Sequence, residues 1–347
     1  MSSRVACFIV GTGVSLPSRV VTNREIAPLF GITSDWIEAS SGIRERRWVE
    51  PGQSTSDLAV AAVRDALVDA SLSSDQVDYL IGCTLSPDYQ VPGIAALVQR
   101  KLDGCRQIPA LDIRAGCAGI LYGLQLARGL IESGAARHVV CFGAEAQSKG
   151  LDLNPRSAEL SMLFGDGAGA LVVSGEQESA IDSQEPSLRI EDILIETDGR
   201  FAEDLIVRAP GTGNGAQWID SEQMAAGLQH GSMQGRSVIL QAVRKLADAA
   251  IRITERNSLS LAEVDVVIPH QANANLLRAL AKRLSISEER VVTNVERFGN
   301  TSGASAFLAF WQAKREHRFH AGSNVLILAF GAGFTWGAAL CHVQAGT

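Results

Sequence analysis

The segment Val77–Ile81 has the sequence VDYLI, and Val264–Ile268 has the closely similar sequence VDVVI later in the chain (264 − 77 = 187). Both are short apolar runs with β-branched residues, which is typical of buried strands. A helical pattern precedes each of them, with AVR at Ala62–Arg64 and again at Ala242–Arg244 (242 − 62 = 180). A repeat at this spacing predicts a chain built from two related halves.

A junction between a strand and a helix recurs in each predicted half. The first, RAGCAG at Arg114–Gly119, carries Cys117, and the second, FGNTSG at Phe298–Gly303, carries Asn300 at a similar offset (300 − 117 = 183). We expect Cys117 and Asn300 at equivalent points of the two halves, so that a thiol faces an amide. Because cysteine is a nucleophile of covalent catalysis, the duplication predicts one active site assembled from both halves.

Strand-like and helix-like runs alternate along the chain, which indicates an α/β fold. The predicted strands are Val5–Val10, Tyr79–Cys83, Val139–Phe142, Ala170–Val173, Ile190–Ile195, Val264–Ile268 and Val325–Phe330. The predicted helices are Asp57–Ala70, Ala118–Ser133, Ser237–Thr254 and Asn275–Leu284. The polar, acidic segment Ser174–Ser187 interrupts the pattern, so we divide the chain there into an N-terminal half of residues 1–175 and a C-terminal half of residues 186–347.

Composition restricts the class of protein. A chain of 347 residues with 46% hydrophobic residues has enough apolar material for two domains. Its net charge of −7 argues against a nucleic-acid binder. No segment has the pattern of a signal peptide or the apolar length of a membrane span. The six cysteines include no C-x-x-C pair, so we expect reduced thiols in a cytoplasmic protein, with no metal site.

Cys117 is the candidate nucleophile among these thiols. Gly116 and Gly119 flank it and permit a sharp turn with close approach of a substrate. The helix predicted to follow directs its free N–H groups at the sulfur, and a helix N-terminus lowers a thiol pKa from about 8.5 toward neutrality. The other five cysteines have no such context and are assigned to the core.

His270 is the candidate hydrogen-bond donor. It follows the apolar run Val264–Ile268 and Pro269, at the carboxyl end of a strand, where open α/β sheets bind their ligands. The next helix is predicted to begin near Asn275, and a helix N-terminus disfavours the imidazolium form, so we expect a neutral ring that donates to an oxyanion.

Asn300 is the third candidate. The dipeptide Gly299-Asn300 could mark a simple turn, as Gly-Asn commonly does, but its position in the repeat favours a catalytic role for Asn300.

Seven segments in the same order resemble the ketoacyl-acyl-carrier-protein synthase III family of the thiolase superfamily. They are Thr33–Ile37, Gly42–Arg46, the turn around Cys117, Phe164–Ala170, His270–Asn273, Gly299–Ser302 and Gly331–Gly337. The resemblance runs from Val5 to the C-terminus. It implies a homodimer whose subunits are five-layered α-β-α-β-α sandwiches of duplicated thiolase-type halves.

The resemblance also implies a two-step reaction on thioesters, with no cofactor beyond the coenzyme A or acyl carrier protein that carries the acyl group. Cys117 would accept the acyl group, and His270 and Asn300 would stabilise the enolate left when a malonyl thioester loses CO2. The backbone N–H groups of Cys117 and Ala332 would form the second oxyanion hole. Gly331–Gly337 lacks the second cysteine of a thiolase, so decarboxylation is the expected source of the carbanion.

Three positions depart from the family pattern. Members that use coenzyme A usually have arginine at the positions of Ser40, Ala158 and Asn275. Trp36 remains as a platform for adenine, and the resemblance implies Asn273 and Phe330 as further substrate-binding residues. The missing arginines favour a carrier-bound donor or a role in secondary metabolism.

Two surface features bear on partners. Arg278, Lys282 and Arg283 follow His270 at helical spacing and are candidates for docking an acidic carrier protein, although such a run is equally typical of a solvated helix face. The resemblance places Val91, or Tyr89, where the dimer loop of one subunit reaches the acyl pocket of the other.

Three alternatives to a condensing enzyme remain at this stage. A relative of the same family could form an ester or amide without decarboxylation. A Cys-His-Asn hydrolase would leave the duplication and the seven segments unexplained. A non-catalytic subunit of a condensing pair is disfavoured because Cys117, His270 and Asn300 are all present.

Overall fold

The computed structural model describes residues 5–105, 107–175, 187–215 and 217–344. Most of the predicted division at Ser174–Ser187 lies outside the described residues, so its position stays a prediction. None of the described helices is both long and apolar enough to cross a bilayer.

A nine-stranded sheet forms the framework of the chain. Its strands are β1 (Phe8–Ser15), β4 (Tyr79–Cys83), β5 (Ala110–Ile113), β6 (His138–Glu145), β7 (Gly167–Ser174), β8 (Leu188–Thr197), β11 (Val266–Pro269), β12 (Asn324–Gly331) and β13 (Thr335–Val343). Two short ribbons pair β2 (Arg19–Thr22) with β3 (Glu45–Trp48), and β9 (Leu205–Val207) with β10 (Gly231–Met233). The α-helices are α1 (Asn23–Phe30), α2 (Ser34–Ser41), α3 (Thr55–Asp69), α4 (Ile94–Lys101), α5 (Gly119–Glu132), α6 (Ala158–Ser161), α7 (Ser221–Ala225), α8 (Gly235–Arg256), α9 (Ala274–Leu284), α10 (Val295–Phe298) and α11 (Ser305–Arg315).

The strand order β11-β12-β13-β8-β1-β7-β6-β4-β5 contains the same pattern twice. In the first half β4 runs parallel to β6, which pairs antiparallel with β7, which pairs antiparallel with β1. In the second half β11, β12, β13 and β8 repeat this sequence of pairings. Phe8 and Ile9 of β1 pair with Arg189 and Leu188 of β8 and join the two units. The duplicated α/β architecture is therefore confirmed.

Strand alternation explains how the layers stack. Val140 and Phe142 of β6 pack outward against α3 and α4, whereas Val139 and Cys141 pack inward against α5 and α11. Strands β12 and β13 alternate in the same way, between α5 and α11 on one face and α8 and α9 on the other. Side chains on successive strand positions point to opposite faces. The two halves of the sheet thus form two β layers, with α3 and α4 outside one, α8 and α9 outside the other, and α5 and α11 between them. These five layers are as expected for the α-β-α-β-α thiolase sandwich.

The backbone fixes the true offset of the repeat. Ser71 and Ser258, at the ends of α3 and α8, both have positive φ, and their numbers differ by the same amount as the two strand motifs (258 − 71 = 187). The match between Ala62–Arg64 and Ala242–Arg244 was therefore wrong by seven residues, or two helical turns. A heptad shift returns apolar residues to the same helix face, so an apolar pattern alone does not distinguish the two alignments.

The predicted equivalence of Cys117 and Asn300 was also wrong. Gly116 and Ser302 both have positive φ, of 53° and 47°, and each begins a 3-10 turn that leads into a helix. Their offset (302 − 116 = 186) makes Gly303 the counterpart of Cys117. Asn300 precedes its turn by two residues and reaches the site from there.

Strand boundaries moved by a few residues from the predictions. β1 begins at Phe8 and continues to Ser15 rather than covering Val5–Val10. β11 begins at Val266 rather than Val264, and it ends at Pro269. His270 therefore follows the end of the strand, as predicted.

Candidate functional site

The three predicted catalytic side chains line one cavity of about 310 Å³. Cys117 comes from the 3-10 turn before α5, His270 follows the end of β11, and Asn300 follows α10. The cavity is mostly apolar, and its wall includes Leu163, Phe330 and side chains of α8. The duplicated scaffold thus brings residues of both halves to one point.

The turn at Cys117 depends on two glycines. Gly116 adopts a φ of 53°, which favours glycine. A Cβ at Gly331 would lie 2.7 Å from the backbone nitrogen of Cys117, and a Cβ at Gly116 would lie 3.3 Å from the backbone nitrogen of Ala332. The two N–H groups predicted for the oxyanion hole therefore lie beside glycines: a methyl group at position 331 would clash with the N–H of Cys117, and one at position 116 would crowd the N–H of Ala332. Gly119, by contrast, allows close approach to Cys83 rather than to a substrate.

The electrostatic environment of Cys117 differs from the prediction. The side chain is buried, and its Sγ donates a hydrogen bond to Ser302 Oγ at 3.6 Å. Burial raises the pKa of the thiol to about 12, and the nearby Glu145 carboxylate also raises it, whereas the Ser302 hydrogen bond lowers it. The expected near-neutral pKa of the thiol was therefore wrong, because loss of water around the sulfur outweighs the activation expected from the helix start.

His270 is held as a neutral ring. Its Nδ1 hydrogen-bonds the Ser305 hydroxyl, and its backbone nitrogen donates to Leu328 O at 2.7 Å. Burial lowers the pKa of His270 to about 3. Because Nδ1 is engaged, Nε2 is the nitrogen left to contact a ligand. The ring is neutral as predicted, but the cause is burial.

Asn300 is fixed by its backbone and by its side-chain oxygen. Its N–H donates to Leu163 O at 2.8 Å, and its carbonyl accepts from Gly165 N at 3.1 Å. Its Oδ1 accepts from Ser302 N at 2.9 Å. The amide Nδ2 remains to donate to a substrate oxygen.

Two buried charged residues lie behind the cavity wall and were given no role in the sequence analysis. Arg46 is fully buried and donates to Met162 O at 2.8 Å and to Asn23 Oδ1 at 2.7 Å, and burial lowers its pKa to about 10. Glu145 is also fully buried, at the end of β6. Their burial depends on chain segments far apart in sequence, so no local pattern identifies them.

The predicted substrate-binding residues fall into two groups. Trp36, Asn273 and Phe330 line the cavity, and Asn273 also caps α9 by accepting from Asn275 N at 2.8 Å. Val91 lies outside the cavity of its own subunit and is 83% exposed. Its predicted contact with a partner subunit stays a prediction.

One amide and two small residues occupy the three positions where family members that use coenzyme A usually have arginine. Asn275 Nδ2 donates to Ser40 O at 2.7 Å, which ties α9 to α2 at the cavity wall. Ser40 lines the cavity, and Ala158 is buried in α6. Arg236 is a cation of the cavity wall that the sequence analysis did not single out.

The predicted docking residues Arg278, Lys282 and Arg283 are exposed on α9. Arg283 also borders a second, polar cavity of about 840 Å³ together with Arg200, Arg244 and Lys245. Asp198 and Asp248 line the same cavity, and Asp198 pairs with both Arg200 and Lys245, so the surface beside α9 carries charges of both signs.

The cysteines and the potential metal ligands form no second cluster within the part of the chain that the structure describes. The six cysteines are all buried and unpaired. Within the described ranges, no group of three or more His, Cys, Asp or Glu side chains could hold a metal ion.

Comparison with known proteins gives consistent matches along the chain. Residues 111–191 match the family model of 3-oxoacyl-[acyl-carrier-protein] synthase III, and residues 254–343 match its C-terminal model. The beta-ketoacyl-[acyl-carrier-protein] synthase III of Nitratidesulfovibrio vulgaris is 41% identical over 330 residues, which cover 95% of this chain and 97% of that protein. The enzyme of the same name from Thiobacillus denitrificans is 40% identical, over 96% of this chain and 98% of that protein.

A solved structure has the same fold over nearly the whole length. The crystal structure of 3-oxoacyl-[acyl-carrier-protein] synthase III from Aquifex aeolicus VF5 superposes with a TM-score of 0.84 at 34% identity, covering 97% of this chain and 99% of that one. With the duplicated five-layer fold and identities of 40% and above to curated relatives, the chain belongs to the synthase III family of acyl-transferring condensing enzymes in the thiolase superfamily.

Proposed function

We propose that this protein forms an acyl-enzyme on Cys117 and condenses it with a malonyl thioester, with loss of CO2, to give a 3-oxoacyl product. The observation that carries the proposal is the convergence of Cys117, His270 and Asn300 on one cavity beside the N–H groups of Cys117 and Ala332. The names of the relatives support the same reaction.

The geometry supports a distinct role for each group. The thiol of Cys117 attacks the acyl carbonyl, and the N–H groups of Cys117 and Ala332 stabilise the resulting oxyanion. His270 Nε2 and Asn300 Nδ2 donate to the thioester oxygen of the malonyl group, where negative charge develops as CO2 leaves. Such preorganised donors act strongly in a site from which water is excluded.

The cavity wall supports an acyl thioester as the first substrate. Its apolar lining suits an alkyl chain, while Trp36, Ser40 and Asn273 lie where a polar pantetheine arm would enter. Ser40, Ala158 and Asn275 supply no positive charge for a nucleotide phosphate, which leaves Arg236 of α8 as the cation of the cavity wall for that contact. We therefore propose a donor held by an acyl carrier protein or one whose adenine nucleotide contributes little to binding.

We also propose a cytoplasmic homodimer that docks a carrier protein through Arg278, Lys282 and Arg283. The acidic surface of such a carrier would complement these exposed cations. Val91, with 83% of its surface exposed, would be covered by the partner subunit. The six unpaired thiols suit a reducing compartment.

The test begins with intact mass spectrometry after incubation with a panel of acyl thioesters. The adduct mass identifies the donor, and Cys117→Ala is expected to lose the adduct. The matched control is Cys141→Ala, which removes a buried thiol of β6 and is expected to keep it.

The second step adds a malonyl thioester to the acylated protein and measures CO2. Stoichiometric CO2 with a 3-oxoacyl product supports condensation. An ester or amide formed without CO2 would establish the non-decarboxylating alternative, and release of free acid alone would establish a hydrolase. An adduct that persists on Cys117→Ala would overturn the assignment of the nucleophile.

A further inference from the structure

Arg46 is a fully buried cation of the short strand β3. Within the described residues its guanidinium donates to uncharged oxygens: Met162 O at 2.8 Å, Asn23 Oδ1 at 2.7 Å and Val21 O at 3.4 Å. Its Nε has no acceptor among these residues. A charge taken out of water without an anionic partner is costly for folding, which makes Arg46 a candidate for a role in the reaction.

The carbonyl that the guanidinium contacts at 2.8 Å belongs to the segment of residues 162–165, which also holds Asn300. Leu163 O accepts from Asn300 N at 2.8 Å, and Asn300 O accepts from Gly165 N at 3.1 Å. Phe164 and Asn300 thereby pair as in a parallel bridge. The segment therefore has the buried guanidinium on one side and Asn300 on the other.

The aliphatic stem of Arg46 also packs against the turn before Asn300. A Cβ added at Gly299 would lie 3.1 Å from the Cβ of Arg46, and one added at Gly165 would lie 3.0 Å from it. Gly299 has a φ of 65°, a conformation that favours glycine. Arg46 thus supports Asn300 twice, through its stem at the preceding residue and through its guanidinium at the paired segment.

Trp48 holds the same segment from β3. Its Nε1 donates to Phe164 O at 3.2 Å. Alternate residues of a strand share a face, so Arg46 and Trp48 point to one side and Arg47 points to the other, where its side chain donates to Ser18 O at 3.3 Å. Strand β3 therefore offers two side chains that contact the segment and a neighbouring arginine that serves as a matched control.

The position of the Asn300 amide depends on this support. Its Oδ1 accepts from Ser302 N at 2.9 Å, so the side chain is fixed to its own turn, and Nδ2 points wherever the backbone of that turn is placed. Residues 162–165 place that backbone. A shift of about 1 Å caused by a change away from the reacting atoms can cost about 10²-fold in rate.

On the basis of the proposed function, we propose that Arg46 is a positioning residue for decarboxylation, which holds residues 162–165 and, through them, the Asn300 amide where the thioester oxygen of the malonyl group binds. Arg46 itself does not line the cavity, so it acts on the reaction through Asn300. The N–H groups of Cys117 and Ala332 stand on other elements, and acyl transfer to Cys117 therefore depends on Arg46 far less.

The direct test is hydrogen–deuterium exchange, read by peptide mass, on Arg46→Lys. Lysine keeps the positive charge but loses the planar fork that spans two acceptors. The amides of Asn300 and Gly165 are expected to exchange about tenfold faster or more, the size expected when a hydrogen bond to a charged group is lost. Exchange in α3, which packs in another apolar core, is expected to stay unchanged.

Arg47→Lys is the matched control and is expected to exchange like the wild type. Unchanged exchange at Asn300 in Arg46→Lys would overturn the proposal, as would faster exchange throughout the chain, because the role would then be general stability. If Arg46→Lys does not fold, Trp48→Phe removes one hydrogen bond to the same segment. It is expected to accelerate exchange at Asn300 by a smaller factor, and unchanged exchange there would then overturn the proposal.

The kinetic test compares the two steps of the reaction in Arg46→Lys. Release of CO2 from a malonyl thioester by the acylated protein is expected to fall about 10²-fold, whereas acylation of Cys117 is expected to change little. In an Asn300→Ala background the same change is expected to cause no further loss, because residues that act through one another are not additive.

Three kinetic results would contradict the positioning role. A full loss of CO2 release in the Asn300→Ala background would mean that Arg46 does not act through that amide. An equal fall in acylation and CO2 release would indicate a general structural role. Wild-type CO2 release in Arg46→Lys would show that the positive charge suffices without the fork.

The exchange measurement needs no substrate, so it is separate from the test of the proposed function. Faster exchange at Asn300 in Arg46→Lys, with no CO2 released even by the wild type, would retain the support of Asn300 by Arg46 and refute the condensation. Wild-type exchange in Arg46→Lys, together with normal condensation by the wild type, would retain the function and refute the positioning role.

Discussion

The backbone nitrogen of Cys117 faces Gly331 so closely that a Cβ at position 331 would lie 2.7 Å from it. Gly331→Ala is therefore expected to displace the turn and misdirect the Cys117 N–H. Loss of one oxyanion donor typically costs about 10²–10³ in rate, so acylation should slow by about that factor. Single-turnover acylation measures it, and Gly199→Ala, whose added Cβ meets nothing within 4 Å, is the control. Equal acylation rates in both variants would show that the Cys117 N–H does not contribute to acylation.

His270→Ala and Asn300→Ala are expected to impair decarboxylation more than acyl transfer, because their free nitrogens serve the enolate. Each is expected to cost about 2.7–4 kcal/mol if it acts as a single oxyanion donor. CO2 release and acyl-enzyme formation, measured separately, give the two rates. Unchanged CO2 release under conditions where chemistry limits the rate would contradict these roles.

The stability of the protein is expected to fall in mild acid because of His270. An unfolded histidine takes up a proton near its ordinary pKa of 6.5, whereas burial holds His270 neutral down to about pH 3. Below pH 6.5 the unfolded state thus binds more protons, and folding loses free energy as the pH falls. At pH 5 the loss is about 2 kcal/mol.

Urea titrations at pH 7 and pH 5 measure this effect as the difference between wild type and His270→Gln. The difference isolates His270 from Glu145 and Asp166, whose raised pKa values act in the opposite direction. An equal loss of stability in both proteins would show that burial does not lower the pKa of His270 in the folded state.

The absence of arginine at positions 40, 158 and 275 predicts a weak preference for the nucleotide of coenzyme A, with Arg236 as the cavity-wall cation that remains. Ser40, Asn275 and Ala158 supply no positive charge, so a pantetheine or carrier-bound donor is expected to compete well with the coenzyme A thioester. The measurement is kcat/KM for both forms of one acyl group. A loss above about 100-fold on removing the nucleotide, or about 2.7 kcal/mol, would mean that Trp36 or other residues bind it.

Val91→Phe is expected to depress acylation by long donors and spare acetyl transfer. Val91 is exposed in the single chain, so its effect requires a partner subunit whose pocket it enters, where overpacking costs about 1–3 kcal/mol. Acylation rates for acetyl and decanoyl donors test this, with Val68→Phe, at another exposed valine on α3, as the matched control. Equal kinetics for both donors in wild type and Val91→Phe would place Val91 outside the pocket.

The sequence was most informative where local patterns carry the information. The apolar run before His270 and the glycines around Cys117 predicted a strand end and a sharp turn, and the structure has both. The alignment of the two halves was harder to predict, because a shift of seven residues between two helices keeps apolar residues on the same helix face. The backbone φ values of Gly116 and Ser302, which set the alignment, have no signature in a single sequence.

Burial was the property that sequence reasoning could not supply. Cys117, His270 and Glu145 owe their pKa shifts first to loss of water, which depends on layers contributed by both halves. The helix-start argument identified the right cysteine but gave the wrong direction for its pKa. The burial of Arg46 and Glu145 was not predicted for the same reason.

Because the two halves of the chain are structurally equivalent, the residues of the Cys117 turn have equivalent residues, here called twins, in the second half. The twin of the Cys117 N–H is that of Gly303, and Glu145 Oε1 accepts from it at 3.1 Å. The twin of Glu145 is Gly331 (331 − 145 = 186), at the end of β12. One anion pocket is thus left open by a glycine, and its twin is filled by the protein's own carboxylate. The duplicated scaffold therefore offers a substrate one anion pocket rather than two. The difference between Gly331 and Glu145 at the equivalent strand ends determines which of the two pockets is open.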